Sequence, residues 1–225
     1  MKLLSFILFS ILSTKNLLNK KKNFFNFCFL SHTFYQRHKN KNFIICLPGK
    51  SLTKYVNEIN NIKNNQYLII TCNKANSIVN PDYHLFTNRK RLLTSEIKNG
   101  KYLISPQTCN KIIKSKLKFQ IYEYIPVINI NSRVLKSFLF IFKDFIFTNN
   151  ASSAISAVCL AILMGASKIT IYGMDGYKDS NNHFYDEKDT KNFSQLIMRE
   201  KINLKQIEIL KEISTLKNIK LEIVK

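Results

Sequence analysis

From Phe43 onward the apolar residues of this chain fall into short uninterrupted runs, separated by polar stretches rich in asparagine and lysine. Such runs, bounded by turn residues, are the mark of strands buried on both faces. Phe43–Leu47, Tyr67–Cys72, Tyr83–Thr87 and Tyr102–Ile104 read as strands in this way, and Phe119–Tyr124 is a further candidate. Other segments carry helical spacing. Leu52, Tyr55, Val56 and Ile59 share one face of a helix over residues 52–62, and Val134–Phe142 reads as a second helix. In Leu204–Leu216 the spacing turns Ile207, Leu210, Ile213 and Leu216 inward, and Leu221–Val224 reads as a closing strand. The segment before it, up to Ile202, is poorly patterned and is expected to act as a lid. Strands alternating with helices predict a mostly parallel sheet covered by helices on both faces.

The strongest single stretch is Thr148–Tyr177, TNNASSAISAVCLAILMGASKITIYGMDGY. Ser152 and Ser153 are good N-cap residues. Ala154–Met164 is apolar nearly all round, as in a buried helix. Gly165 is a natural stop. Lys168–Tyr172 follows as a short strand, with Gly173-Met174-Asp175-Gly176 as the loop at its carboxyl end. Ligands of open α/β sheets lie outside the carboxyl ends of the strands, so the loop Gly173–Tyr177 is a candidate site. The alternative is that Gly173 and Gly176 only turn the chain. Residues 42–225 are thus expected to form a single Rossmann-like α/β domain.

Residues 1–41 follow a different pattern. Lys2 precedes the apolar run Leu3–Leu12. Lys15 and Lys20–Lys22 come next, then a second apolar patch, Phe24–Leu30. A run of that length is too short for a hydrocarbon core, which needs about 20 residues. It resembles a signal-peptide h-region, yet no small-x-small cleavage site follows. Either residues 1–30 make peripheral contact with a membrane, with lysines against anionic headgroups, or the start codon is assigned too early. Ser31–Asn42 is polar and basic and reads as a linker.

Composition narrows the function. With 225 residues and a net charge of +21, an acidic partner is expected. The basic residues are mostly lysines scattered among asparagines and isoleucines, all products of A/T-rich codons, and the arginines are only Arg37, Arg89, Arg91, Arg133 and Arg199. No nucleic-acid-binding motif accompanies them, so nucleic acid is not expected as a partner. Cys28, Cys46, Cys72, Cys109 and Cys159 form no C-x-x-C pair. Their odd, dispersed placement argues for a reducing compartment, hence the cytoplasm, at the inner face of the membrane if residues 1–30 contact it.

Candidate chemistry collects at the predicted strand ends. The first strand, Pro48-Gly49-Lys50-Ser51 and the helix after it form a phosphate-cradling arrangement, in which backbone N–H groups face the anion. A P-loop is excluded, because it needs glycine where Ile44 stands. The next two strands end in Asn73 and Asn88, and a fourth in Ser105. Short polar side chains there are placed to bond a base, a ribose or a phosphate, or else only favour turns. Asp175 is placed to bind an acceptor hydroxyl or to serve a turn. No metal site is evident: there is no H-x-x-x-H, no Cys/His cluster and no D-x-D. Asp186, Glu187 and Asp189 read as a solvated loop.

Four pieces in order carry a resemblance: FIICLPGKSL, TCNKANSIVNPDYHLFTN, YLIS and TNNASSAISAVCLAILMGASKITIYGMDGY. The closing KINLKQIEILKEISTLKNIKLEIV also fits. Together they resemble the bacterial lipo-oligosaccharide sialyltransferases, which move sialic acid from its CMP ester to a glycan. The glycine–aspartate element is also similar to archaeal pterin pyrophosphokinase-like proteins. The sialyltransferase resemblance implies a CMP-sugar donor and a glycan acceptor, no metal and no further cofactor. It implies that Gly49 and Ser51 contact the CMP phosphate and sugar, and that Asn73 and Asn88 contact the nucleotide. Ser152 and Ser153 match a Thr-Ser pair at a helix start and, with Gly173, are expected to bind the nucleotide. Tyr177 matches a tyrosine that holds the departing phosphate, and His183 lies near a second.

Two departures stand out. Asn150 replaces the family's arginine before the Thr-Ser pair, and Arg199 is nearest to its general-base histidine. Three expectations remain open: an active enzyme with another donor or acceptor, His183 as a relocated base, or a nucleotide- or glycan-binding protein without turnover. The oligomeric state, a homo-oligomer included, is open too.

Overall fold

The computed structural model describes residues 34–62, 66–86, 101–104, 123–124, 127–129, 139–142, 145–148, 152–176, 183–185 and 193–225. The uninterrupted apolar runs lie at its centre. Strand β1 (Asn42–Cys46) pairs in parallel with β2 (Tyr67–Cys72) on one side and with β9 (Lys168–Tyr172) on the other. Outward from β2 lie β3 (Tyr83–Phe86), β4 (Lys101–Ile104) and β5 (Glu123–Tyr124), while β10 (Lys220–Val224) flanks β9. The result is a seven-stranded sheet in the order β10-β9-β1-β2-β3-β4-β5, parallel at every pairing. The architecture is α/β and Rossmann-like.

Successive side chains of a strand point to opposite faces, and each face takes its own helices. Phe43, Ile45, Leu47, Ile70, Cys72, Ile169 and Ile171 join helix α2 (Ser153–Leu163) and, through Ile209, Leu210 and Ile213, helix α3 (Phe193–Leu216). Ile44, Cys46, Ile69 and Tyr172 face the other way, onto Leu52 and Ile59 of helix α1 (Leu52–Asn61). Helix α2 is buried almost throughout, as its continuous apolar sequence requires. Among the described residues no helix is long and apolar enough to cross a membrane.

Four expectations change. Leu139–Phe142, expected at the end of a helix, is strand β7. It pairs antiparallel with β8 (Phe145–Thr148), and β8 pairs in parallel with β6 (Val127–Asn129), making a separate three-stranded sheet. Phenylalanine and isoleucine there fit a strand as well as they fit a helix, so a short apolar run does not decide. The poorly patterned segment before Ile202 is not a separate lid from Phe193 on, but the first part of α3. Its residues Ile197, Met198 and Ile202 are exposed, so no core-facing stripe announces it. Leu216, expected inward, is 62% exposed at the end of α3.

The fourth change concerns the expected linker, and with it the domain start at residue 42. Phe34 is fully buried in the core on the α2 side. After it, Gln36, His38 and Asn40 donate their backbone N–H groups to the carbonyls of Leu163, Met164 and Gly165, at 2.9, 2.9 and 2.8 Å. The segment thus satisfies the carbonyls that the end of α2 leaves without intrahelical partners. The folded unit therefore includes the described residues from Phe34, which were expected to belong to the extension over residues 1–41. The apolar runs of residues 1–30 lie outside the described residues.

Candidate functional site

The strand order reverses at β1. The chain steps outward to β5 and later returns to β9 on β1's other side, which makes the carboxyl ends of β1 and β9 the topological switch point. Two loops meet there, Leu47–Ser51 and Gly173–Gly176. They approach backbone to backbone, with the Gly49 N–H donating to the Gly173 carbonyl at 3.0 Å and the Leu47 N–H to the Tyr172 carbonyl at 2.9 Å. Both glycines are required by this geometry. A Cβ on Gly49 would collide with the Gly173 carbonyl and sit 2.7 Å from the Asp175 Oδ2. Gly173 has φ of +74°, and a Cβ there would run into the Leu47 carbonyl, so neither position tolerates a side chain.

Asp175 closes this junction. Its Oδ2 accepts the Ser51 N–H at 2.7 Å, and its Oδ1 accepts the Ser51 hydroxyl. The rest of the helix start is satisfied locally: Leu52, Thr53 and Lys54 donate their N–H groups to the carbonyls of Gly49, Lys50 and Ser51, at 3.2, 3.1 and 3.1 Å. The phosphate cradle expected from Gly49 and Ser51 is thus already bonded, with a carboxylate of the chain where an external anion was expected.

His183 lies across the same loop. It forms an antiparallel bridge with Gly49, and the Phe184 N–H donates to the Pro48 carbonyl at 3.2 Å. Tyr185 stacks on the His183 ring with centroids 5.0 Å apart, and the Lys74 ammonium sits 4.5 Å from the Tyr185 ring centroid, a cation–π contact. Phe184 packs on the α1-side core. Three consecutive aromatic residues therefore strap the switch point to the loop after β2.

A second polar group stands beyond that loop on the same edge. Asn73, in the left-handed region at φ +52°, donates from Nδ2 to the Ser153 Oγ at 3.0 Å. Its Oδ1 is buried and accepts no hydrogen bond among the described residues. Ser152 caps α2 by accepting the Ile155 N–H on its Oγ at 3.2 Å. Below Asn73, His84 is fully buried in β3 and hydrogen-bonded through Nδ1 to the Thr71 hydroxyl at 2.5 Å. Burial pushes the His84 pKa down to about 3, against a smaller upward pull from a hydrogen bond with the Asn73 backbone. His84 is therefore neutral near pH 7.

The structure thus gathers Gly49, Ser51, Gly173, Asp175 and His183 in one cluster, and Asn73, Ser152 and Ser153 in another, all on the carboxyl edge. Tyr177 and Asn88 lie outside the described residues, as do Asn150 and the carboxylates Asp186, Glu187 and Asp189. Cys46, Cys72 and Cys159 are buried free thiols whose pKa values burial holds far above the ordinary one, so none of the three is a thiolate nucleophile. No group of three or more histidine, cysteine, aspartate or glutamate side chains is placed to hold a metal among the described residues. A cavity of about 400 Å³ opens at the opposite edge, beside Gln36, Asn40, Ser167 and Lys217, away from the switch point and its polar groups.

Sequence reasoning missed the Ser51–Asp175 pair, the Lys74–Tyr185 contact and buried His84. A signal for the first was present: P-G-x-S follows one strand and G-x-D another, and their pairing is implied once those strands are known to be neighbours. The chain matches no known protein family, no curated protein and no solved structure.

Proposed function

We propose that this protein is a glycosyltransferase-like, nucleotide-sugar-binding protein that moves a sugar, sialic acid or similar, from a CMP-activated donor to a surface glycan. The observation that supports this most is that His183, the two glycine loops and the Asn73–Ser153 pair stand on one carboxyl edge of the sheet, the first two at the switch point. In such a transfer the departing CMP gains negative charge on its phosphate oxygen. A fixed N–H donor aimed there stabilises the transition state more than the ground state. His183, held to the loop after β1, is the described side chain suited to donate that hydrogen bond, or to take the proton of the acceptor hydroxyl. Tyr177 is the second proposed donor.

The test is release of free CMP from CMP-sialic acid, with and without a galactose-terminated acceptor. Turnover that falls about a hundredfold in His183→Ala, the scale of losing one donor of ~3 kcal/mol, supports the reading. If His183 is the base, the variant also loses one limb of the pH–rate profile. Turnover untouched by His183→Ala rejects the role given to it. The replacement of the family's arginine and histidine by Asn150 and Arg199 favours a second reading, a nucleotide- or glycan-binding protein of polysaccharide assembly without turnover. CMP binding with no release of CMP from the donor would select it. A requirement for ATP and Mg²⁺ would instead point to a pyrophosphokinase.

A further inference from the structure

We propose that Asp175 is the resident anion at the start of α1, so that this helix start excludes phosphate and meets a ligand through the ligand's hydroxyl groups. The inference rests on the nucleotide-sugar reading for the identity of the ligand, but its electrostatic part stands on contacts within the chain. A strand–glycine turn–helix unit ordinarily offers its first N–H groups and its dipole to a bound anion. Here the N–H that opens α1, that of Ser51, is taken by the Asp175 carboxylate, and the Ser51 hydroxyl is taken by the other oxygen of the same group. The next three N–H groups are bonded to the carbonyls of Gly49, Lys50 and Ser51. The N–H groups of Ser51, Leu52, Thr53 and Lys54 are therefore all engaged, and a second anion would have to approach a carboxylate that is only half-buried. Each carboxylate oxygen has further acceptor capacity beyond the bond from Ser51. What it can accept is a hydroxyl or an amine. For a nucleotide-sugar the matching part is a diol of the ribose or the sugar. Its phosphate must then lie off the start of α1, where His183 is proposed to donate to it.

Asp175 is held to this role by geometry. It follows Gly173, whose carbonyl is bonded to Gly49, and its carboxyl carbon lies 2.8 Å from where a Gly49 Cβ would stand. The carboxylate therefore cannot swing toward Gly49 without displacing the loop, and Ser51 is the partner the packing leaves to it.

The experiment is a titration of the ¹⁵N-labelled full chain with inorganic phosphate, with cytidine and with CMP, following the Ser51 and Asp175 amides. In the native chain phosphate should leave the Ser51 amide unmoved, while cytidine shifts the Asp175 amide. Asp175→Asn keeps the shape and removes the charge. It should let phosphate shift the Ser51 amide, with affinity raised roughly tenfold or more, the scale of one like charge a few ångströms away, and should weaken cytidine. Saturable movement of the Ser51 amide by phosphate in the native chain overturns the proposal without any variant, as does an Asp175→Asn chain, folded by its amide spectrum, that still rejects phosphate. Should Asp175→Asn unfold, Ser51→Ala serves. It leaves the carboxylate in place, and the proposal requires that it too reject phosphate, so phosphate binding there overturns it. CMP and cytidine that move no amide on the carboxyl edge would defeat the nucleotide reading and the hydroxyl half of this proposal, while the exclusion of phosphate would be judged by the phosphate arm alone.

Discussion

The two edges of the sheet are held together by different means. At the amino edge the segment after Phe34 meets the end of α2 through main-chain bonds, Gln36, His38 and Asn40 to three successive carbonyls. Those bonds run through the main chain, although Gln36 and Asn40 take φ of +55° and +62° to make them, and His38–Tyr83 at 2.7 Å and Ser167–Asn42 at 2.9 Å add side-chain bonds. At the carboxyl edge the bonds that matter run through particular side chains: Ser51 to Asp175, Asn73 to Ser153, Ser152 to the start of α2. Main-chain bonding makes an edge tolerant of its sequence, whereas side-chain pairs make an edge depend on it. The candidate site lies on the dependent edge.

The contrast can be broken most strongly at the amino edge through its fully buried side chain, Phe34. Phe34→Ala should cost about 3–5 kcal/mol, as removal of a fully buried phenylalanine does, seen as a lower denaturant midpoint. Substitutions at exposed Tyr35 or Lys39 should change little. Equal losses at all three positions would mean that the segment is not anchored through Phe34.

Next in size is an acid effect beneath Asn73. His84 has a folded pKa of about 3 against about 6.5 in an unfolded chain. The unfolded state therefore binds the extra proton first. Stability is complete above pH 6.5 and falls as the pH drops toward 3, on the order of 2 kcal/mol having gone by pH 5. Urea denaturation at pH 7 and pH 5 measures this, and His84→Gln should lack that part of the loss. An unchanged slope in the variant would place the acid sensitivity elsewhere.

The smallest effect sharpens the comparison at the carboxyl edge. Ser152→Ala removes the side-chain cap of α2 and should cost about 1 kcal/mol, whereas Ser152→Asp, which keeps an acceptor, should cost less. Thermal unfolding of the two variants checks the order, and equal losses would show that the cap adds nothing to α2.

How far the sequence reveals these features follows from what each depends on. Tyr67–Cys72 and Lys168–Tyr172 are legible to the residue, because a short, mostly apolar run rich in isoleucine and bounded by turn residues marks a buried strand. Helix α1 was legible through the stripe of Leu52, Tyr55, Val56 and Ile59. Phe34 was not, since one phenylalanine among lysines and histidines gives no period. The first half of α3 was not, since Ile197, Met198 and Ile202 face solvent rather than a core. Of the candidate site, the loops and polar strand ends were legible, but the bond between Ser51 and Asp175 joins residues 124 positions apart. Only the order of strands brings them together, and no local pattern encodes that order.

The seating of the segment after Phe34 at the amino edge sets a direction for the whole domain. A parallel sheet is a polar object, with all its strands pointing one way, and here the chain enters at the tail of that arrow. The candidate site lies at the head, roughly 17 Å farther along a five-residue strand such as β1 (Asn42–Cys46). A solid support coupled at exposed Tyr35 pulls from behind and leaves the head facing away. Immobilisation at that position should therefore leave the carboxyl edge open to large acceptors. Attachment through Lys225 should not, because it directly follows β10 (Lys220–Val224) and so stands on that same edge.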